Sequence, residues 1–223
     1  MRAISECLMQ GEKRRGEYRA TGAKVARRVL ETRPVALVED GRKVLRVGGV
    51  IQSVEVDERY TADVWDAMLP RRRPASALIL GLGGGSIAQL MTRRWGPLPI
   101  TGIERDPAVV SLARREFGLD QLDHLTIVTA DAFVWTHMCD QSFDAICVDL
   151  YVAGKLAHGA LSAAFMRDLR RVLSPEGEVI FNLWRSAYLE EQTRRIAAYF
   201  GIEALDQADG NVAVHAIQAP GLR

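Results

Sequence analysis

The spacing of apolar residues changes several times along this chain, and each change predicts an element. Residues 1 to 33 are polar and basic with weak helical periodicity, as expected of a helical or loose N-terminal arm. From Pro34 the pattern becomes strand-like. Val35-Ala36-Leu37-Val38-Glu39 and Lys43-Val44-Leu45-Arg46-Val47 flank Asp40-Gly41, a dipeptide suited to the positive φ angles of a tight hairpin turn. The segment from Gly49 to Val56 predicts a third strand. Val64, Trp65, Met68 and Leu69 then fall near helical spacing and predict a connecting helix, closed by the basic, proline-bounded run from Pro70 to Pro74.

Beyond that linker, strands and helices alternate. Ala77-Leu78-Ile79-Leu80 is a short apolar run ending in glycines, the pattern of a strand buried on both faces of a parallel sheet. Ile87, Leu90, Met91 and Trp95 share one helical face behind it. Ile100 to Glu104, Leu125 to Val128 and Phe143 to Val148 predict three further strands. Asp106 and Pro107 mark a helix start as cap and first helical residue. Leu161, Phe165, Leu169 and Val172 predict a helix, Ser174-Pro175-Glu176-Gly177 a turn, and Val179 to Leu183 a fifth strand. A helix near Glu190 to Phe200 and a hairpin turning at Asp209-Gly210 complete the chain.

The fold class is therefore α/β: a Rossmann-like, doubly wound, mostly parallel sheet with a C-terminal antiparallel hairpin, preceded by a small antiparallel β appendage. A reversed last strand is typical of the class I methyltransferase fold and foreign to the usual dinucleotide-binding fold. The implied division is an arm at 1–33, the appendage and connecting helix at 34–70, and a nucleoside-binding catalytic domain at 71–223.

Charge and composition narrow the partners. With 29 Lys and Arg against 28 Asp and Glu, the formal net charge of +1 implies no extended nucleic-acid or membrane surface. Basic clusters are local, in the N-terminal stretch around Lys13, Arg14 and Arg15 and at Arg71-Arg72-Arg73, and they read as solvated faces. Cys7, Cys139 and Cys147 are an odd number without metal-ligand spacing, so no metal site is expected, and Cys147 reads as a small core residue. No apolar stretch reaches the roughly 18 residues of a membrane span, and no segment resembles a signal peptide, which leads to an expectation of a cytoplasmic protein.

Chemistry is expected at the carboxyl ends of the strands, where open α/β sheets bind ligands. The loop Gly81-Leu82-Gly83-Gly84-Gly85 joins a buried strand to a helix. Its glycines allow a sharp turn and close approach of a nucleoside to the main chain, with a ligand-free tight turn as the alternative. Ser86 stands where a dinucleotide fingerprint has its last glycine. Glu104 ends the second strand of the domain about twenty residues on, where a carboxylate accepts ribose hydroxyls. Asp131, followed by Ala132, is placed either to accept from an adenine amino group or to cap a helix. Asp149 ends the run Phe143 to Val148, placed to stabilise a sulfonium cation or to take a proton from an attacking amine; its alternative is a loop hydrogen bond. Tyr151, Lys155 and His158 follow it and are candidates to line an acceptor pocket.

Across roughly residues 34 to 184 the chain resembles the spermidine synthase family. The resemblance runs in order through Gly49-Val50-Ile51-Gln52-Ser53 with Asp57-Glu58, Leu78 to Gly85, Gly102-Ile103-Glu104-Arg105-Asp106, Ala130-Asp131-Ala132, and Phe143 to Asp149. It implies that Gln52 helps hold the ribose of an adenosyl ligand, Glu104 binds the ribose hydroxyls, Asp131 the adenine, and Asp149 activates an acceptor amine. The adenosyl side, with Gly81, Gly83, Gly85 and Ala132 also at the cofactor, is intact. On the acceptor side the family's loop acid is replaced by Gly84, its Tyr-His pair by Thr61-Ala62, and its second acid by Val152.

The resulting expectation is a transferase using S-adenosylmethionine or decarboxylated S-adenosylmethionine, with methyl transfer slightly ahead of aminopropyl transfer to a small-molecule acceptor such as an amine. A protein that binds the nucleoside without catalysis and an NAD-dependent oxidoreductase are the alternatives. A homodimer is compatible with either transferase reading.

Overall fold

The computed structural model describes residues 33–58, 60 and 64–219. The N-terminal arm with Cys7 and its basic cluster, and the Thr61-Ala62 pair, lie outside the described residues.

Three short strands, β1 (Val35–Glu39), β2 (Arg42–Val47) and β3 (Val50–Val54), form the expected antiparallel appendage in the order β1-β2-β3. Asp40 and Gly41 take φ of 49° and 76°, the paired positive values for which this dipeptide is suited. Val44 and Val54 face inward and join Trp65 and Met68 in one hydrophobic cluster with Ile79 and Met91 of the main sheet. The appendage is thereby packed onto the helix side of the glycine loop.

The main sheet has seven strands in the order β11-β12-β10-β7-β4-β5-β6. Strands β4 (Ala77–Leu80), β5 (Ile100–Glu104), β6 (Leu125–Thr129), β7 (Phe143–Val148) and β10 (Leu173–Trp184) are parallel, whereas β12 (Asn211–Gln218) runs antiparallel between β10 and β11 (Phe200–Ala208). All four side chains of β4 are buried: Ala77 and Ile79 enter one hydrophobic cluster, Leu78 and Leu80 the other. Alternating side chains on a strand covered on both faces require this division.

Helices α1 (Ser86–Trp95), α2 (Pro107–Phe117), α3 (Ala132–Met138), α4 (Ala163–Val172) and α5 (Leu189–Ala197) cover the sheet. In α4, Phe165, Met166, Leu169 and Val172 are buried at helical spacing, each contributing about 1.5–3 kcal/mol of apolar transfer energy. Asp106 caps α2 by accepting the Ala108 N–H at 2.8 Å, with Pro107 at the first helical position, as predicted. The second Asp-Gly turn also forms, with Asp209 at φ 45° and Gly210 at 90°.

Three expectations change. Among the described residues of the connecting segment, 64–68 form consecutive turns rather than a helix. The N–H groups here bond three residues back, Met68 to Trp65 O at 3.2 Å and Leu69 to Asp66 O at 3.1 Å, and Pro70 has no N–H to extend a helix; Ala67 O and Met68 O meet tertiary donors, His215 Nε2 at 2.9 Å and Cys147 Sγ at 3.2 Å. The turn expected at 174–177 is an irregularity inside a long β10, whose register against β7 shifts between Leu173 and Glu178. Pro175 has no N–H for a ladder bond there. The loop after Asp149 folds as a minimal hairpin of β8 (Tyr151–Val152) and β9 (Lys155–Leu156).

Arg71, at the start of the basic run, is tied to the sheet edge. Its N–H donates to Glu178 at 2.8 Å and its guanidinium to both oxygens of Asp206 at 2.9 and 3.0 Å. Cys139 and Cys147 are buried free thiols, and burial pushes the Cys147 thiol well up, consistent with its reading as core. Among the described residues there is no cluster of His, Cys, Asp and Glu that could hold a metal ion, and no helix long and apolar enough to cross a membrane.

Candidate active site

The carboxyl ends of β4, β5, β6 and β7 open into a crevice that brings together Gly81, Gly83, Glu104, Asp131, Ala132 and Asp149, with Gln52 reaching in from β3. Seven of the eight residues expected at the cofactor or in catalysis thus share one cavity. Gly85 does not line it; a Cβ at that position would meet Leu119 at 2.5 Å, so its role is to let the loop pack against the segment after α2.

The other loop glycines also answer to protein neighbours. A Cβ on Gly81 would stand 2.1 Å from Asp149 O, and one on Gly84 2.7 Å from Ser53 Cβ. The sequence suggested close approach of a ligand; the structure adds close approach of β3 and of the chain leaving β7. Ser53 fastens the loop by accepting the Gly84 N–H at 2.7 Å while donating to Gln52 O at 2.6 Å. The space an acid at position 84 would need is therefore filled by the appendage.

Glu104 holds the loop from the other side. One carboxylate oxygen accepts the Gly83 N–H at 3.1 Å and the other the Asp106 N–H at 3.0 Å. Each oxygen keeps a lone pair for a further donor, so the carboxylate can accept hydroxyls while fixing the loop beside them. Asp131 serves as a helix cap: Oδ1 accepts the N–H groups of Phe133 and Val134 at 2.9 and 3.1 Å. It also lines the crevice, and capping engages only Oδ1. Ile103, Val109 and Phe133 supply apolar wall.

A second cavity of about 250 Å³ adjoins the first, and Gln52, Asp149 and Tyr151 line both. Its other walls include Trp65, Trp184, Asn182, Asn211 and, from the hairpin tip, Asp209. Tyr151 and Trp184 meet edge to face with ring centroids 6.1 Å apart, and the Tyr151 hydroxyl donates to Asn182 O at 3.0 Å. Of the three loop candidates, Tyr151 is brought to the site, while Lys155 and His158 line neither cavity. Val152 lines the crevice as an apolar group.

Asp149 is the group common to both spaces. Burial raises its carboxyl from the ordinary 3.8 to about 6, and the nearby Glu104 charge adds to the rise; hydrogen bonds from Asn182, at 2.8 Å, and from Trp65 oppose it. A carboxylate so placed is ionised at neutral pH yet a stronger base than an exposed aspartate.

Beyond Gln52, Asp149 and Tyr151, the polar and aromatic residues of the second cavity were the ones sequence reasoning missed. Asn182 offered a signal, as one amide inside the apolar run from Val179 to Leu183. Trp65, Trp184, Asp209 and Asn211 offered none, because they come from separated segments joined only by sheet pairing.

A parallel sheet with an inserted antiparallel strand, a glycine loop after its first parallel strand and a carboxylate-lined crevice at its carboxyl edge define a class I methyltransferase fold. A methyltransferase-domain family profile matches residues 78–181. The polyamine aminopropyltransferase of Chromobacterium violaceum is 29% identical over 212 residues, covering 88% of this chain and 81% of that protein. Polyamine aminopropyltransferase 1 of Streptomyces coelicolor is 32% identical over 161 residues, covering 68% of this chain but 30% of that longer protein. A spermidine synthase solved with the transition-state analogue AdoDATO superposes with a TM-score of 0.59 at 18% identity, over 86% of this chain and 75% of that one. Within the class, the chain is similar to polyamine aminopropyltransferases in sequence and to spermidine synthases in fold.

Proposed function

We propose that this chain is a transferase that moves the aminopropyl group of decarboxylated S-adenosylmethionine to a small amine. The observation carrying this reading is Asp149, a carboxylate shared by the crevice at the strand ends and an aromatic-lined second cavity. The names of the aligned relatives support aminopropyl transfer over the methyl transfer that the sequence put slightly first. The charges favour the same donor. Among the described residues, Glu104, Asp106, Asp131 and Asp149 line the crevice against the single guanidinium of Arg105, which suits a donor without a carboxylate.

In the reaction the acceptor nitrogen first loses a proton to Asp149. Its lone pair then forms the new N–C bond as the C–S bond breaks, the bonding pair leaving on sulfur as a neutral thioether. An alkylammonium of pKa about 10 stands about 5 kcal/mol from proton transfer to a carboxyl of about 6, against about 8 kcal/mol for an ordinary aspartate. Trp65, Trp184 and Tyr151 offer aromatic surface to a cationic chain that sheds its water.

Incubation with decarboxylated S-adenosylmethionine and a panel of primary mono- and diamines is expected to release methylthioadenosine. Release of S-adenosylhomocysteine from S-adenosylmethionine instead supports methyl transfer, the reading favoured by the filled space at Gly84. Donor-dependent thermal stabilisation without either product would mean a binding protein that has lost catalysis.

Asp209 is the carboxylate of the acceptor cavity contributed by the C-terminal hairpin. Asp209→Asn is expected to raise KM for a diamine by about threefold, roughly 0.7 kcal/mol, while leaving KM for a monoamine of equal length nearly unchanged. Equal effects on both amines would remove Asp209 from acceptor recognition.

A further inference from the structure

Asn182 and Asn211 are buried amides in an otherwise apolar sheet. Asn182 is 6% exposed between Phe181 and Leu183, each 1% exposed, and Asn211 is 8% exposed at the start of β12. An amide buried without partners costs about 1–3 kcal/mol per unmet group, so their presence calls for a compensating arrangement. They bond to each other and to Asp149: Asn211 Nδ2 donates to Asn182 Oδ1 at 2.7 Å, and Asn182 Nδ2 to Asp149 Oδ1 at 2.8 Å.

The direction of this chain follows from chemistry. An ionised carboxylate only accepts, so Asn182 must turn its NH2 to Asp149 and its carbonyl oxygen away. That oxygen needs a donor, which Asn211 supplies. Sheet register makes the contact available: Trp184 pairs with Asn211 and Asn182 with Ala213, which leaves Asn182 and Asn211 diagonal neighbours. Asp149 directly follows β7, whose Val148 pairs with Phe181 on the other side of β10.

Resting on the reading of Asp149 as the proton acceptor, we propose that Asn211 is a positioning residue that orients the Asp149 carboxylate through Asn182, so that the reversed strand β12 takes part in setting the active-site base. The reversed strand inside the sheet thus has a functional connection to the reaction centre. With Asn211 in place the Asn182 amide has one favourable orientation; without it, the amide loses the partner that holds its donor on the carboxylate, and the bond to Asp149 weakens.

The groups around Asp149 that bear charge or titrate are Glu104 at the end of β5, Cys147 in β7, Tyr151 in β8 and Asp209 at the hairpin tip. None is altered by a change at 182 or 211. The test is a carbon NMR titration of the Asp149 carboxyl in the ligand-free full chain, comparing Asn211→Leu, Asn182→Leu and the double variant with wild type. Because the Asn182 bond favours the charged form, its loss is expected to raise the midpoint by about one pH unit in Asn182→Leu, and about half as much in Asn211→Leu. In the Asn182→Leu background, Asn211→Leu is expected to add nothing, since the path to Asp149 is already cut.

A midpoint unchanged in Asn211→Leu, or a shift that persists in the Asn182→Leu background, overturns the proposal. Asn211→Ala, which removes the same donor with less bulk, serves if the leucine variant does not fold, and Asn211→Gln is expected to restore part of the shift. No donor or acceptor substrate enters this measurement. A protein that fails to catalyse transfer but shows the coupled shifts would retain the positioning role and lose only the proposed reaction.

Discussion

Asp149→Asn is expected to lower kcat by about 10²–10⁴-fold while leaving adenosyl binding largely intact. The amide cannot take the acceptor's proton, whereas the ribose and adenine contacts assigned to Glu104 and Asp131 are elsewhere in the crevice. Turnover of the wild type should fall on the acid side as Asp149 is protonated around pH 6. The same substitution has an unusual stability signature. A carboxyl raised from 3.8 to about 6 in the folded state favours folding fully below its unfolded pKa, and that contribution is lost as pH rises through 6.

The loss spans about two pKa units, or about 3 kcal/mol at most. At pH 8 the variant should therefore be no less stable than wild type. Its gain should be below that ceiling, because an asparagine has one acceptor oxygen for the two donors, Asn182 and Trp65, that now serve the carboxylate. Turnover with the preferred amine and thermal melts at pH 5 and pH 8 test both halves. Undiminished turnover removes Asp149 from the mechanism, and a variant less stable than wild type at pH 8 shows that the buried charge is not penalised.

Gly81→Ala should have the largest effect on the fold. Gly81 has φ of 90°, and its added methyl would stand 2.1 Å from Asp149 O and 2.9 Å from Asp149 C, both backbone atoms that cannot swing aside. Either β4 or the end of β7 has to move, and both strands lie at the centre of the sheet. A loss on the order of 4 kcal/mol or more is expected from strain of this kind. Gly41→Ala is the matched control, since Gly41 has φ of 76° with nothing within 4 Å of its Cβ position. It should lose only about 1–2 kcal/mol, the left-handed backbone cost alone. Denaturant unfolding of the two variants checks the difference; equal losses would mean that the loop relaxes around the methyl.

The predictions share a physical origin in the junction of the glycine loop with the chain leaving β7. Gly81 packs on the backbone of Asp149, and Asp149 opens to both cavities, so the geometry that excludes a side chain at 81 also determines where the base stands. Glu104 and Ser53 grip the same loop from β5 and β3. The appendage therefore contributes to the site by closing the loop at Gly84 and presenting Gln52 to both cavities.

Much of this was legible before any coordinates, because the signals were local. Apolar runs of strand length ending in glycine or aspartate, Pro107 after a capping Asp106, and two Asp-Gly turns each depend on a few adjacent residues and on backbone preferences. The crevice was legible for the same reason: in a parallel sheet, residues just past successive strands converge on one edge, so Gly81, Glu104, Asp131 and Asp149 could be placed together from order alone. What local patterns misjudged was the segment at 64–69, which closes in successive turns before Pro70, with His215 and Cys147 donating to Ala67 O and Met68 O.

The sequence by itself determined the layering, the reversed strand and the line of carboxylates along the carboxyl edge, since each follows from period and chain order. Only the tertiary structure decided the second cavity. Trp65 and the Asp209–Asn211 turn are far from Asp149 in the chain and reach the cavity beside it through the pairing of β7, β10 and β12 and the packing of the appendage, contacts set by long-range register that no short window of residues contains.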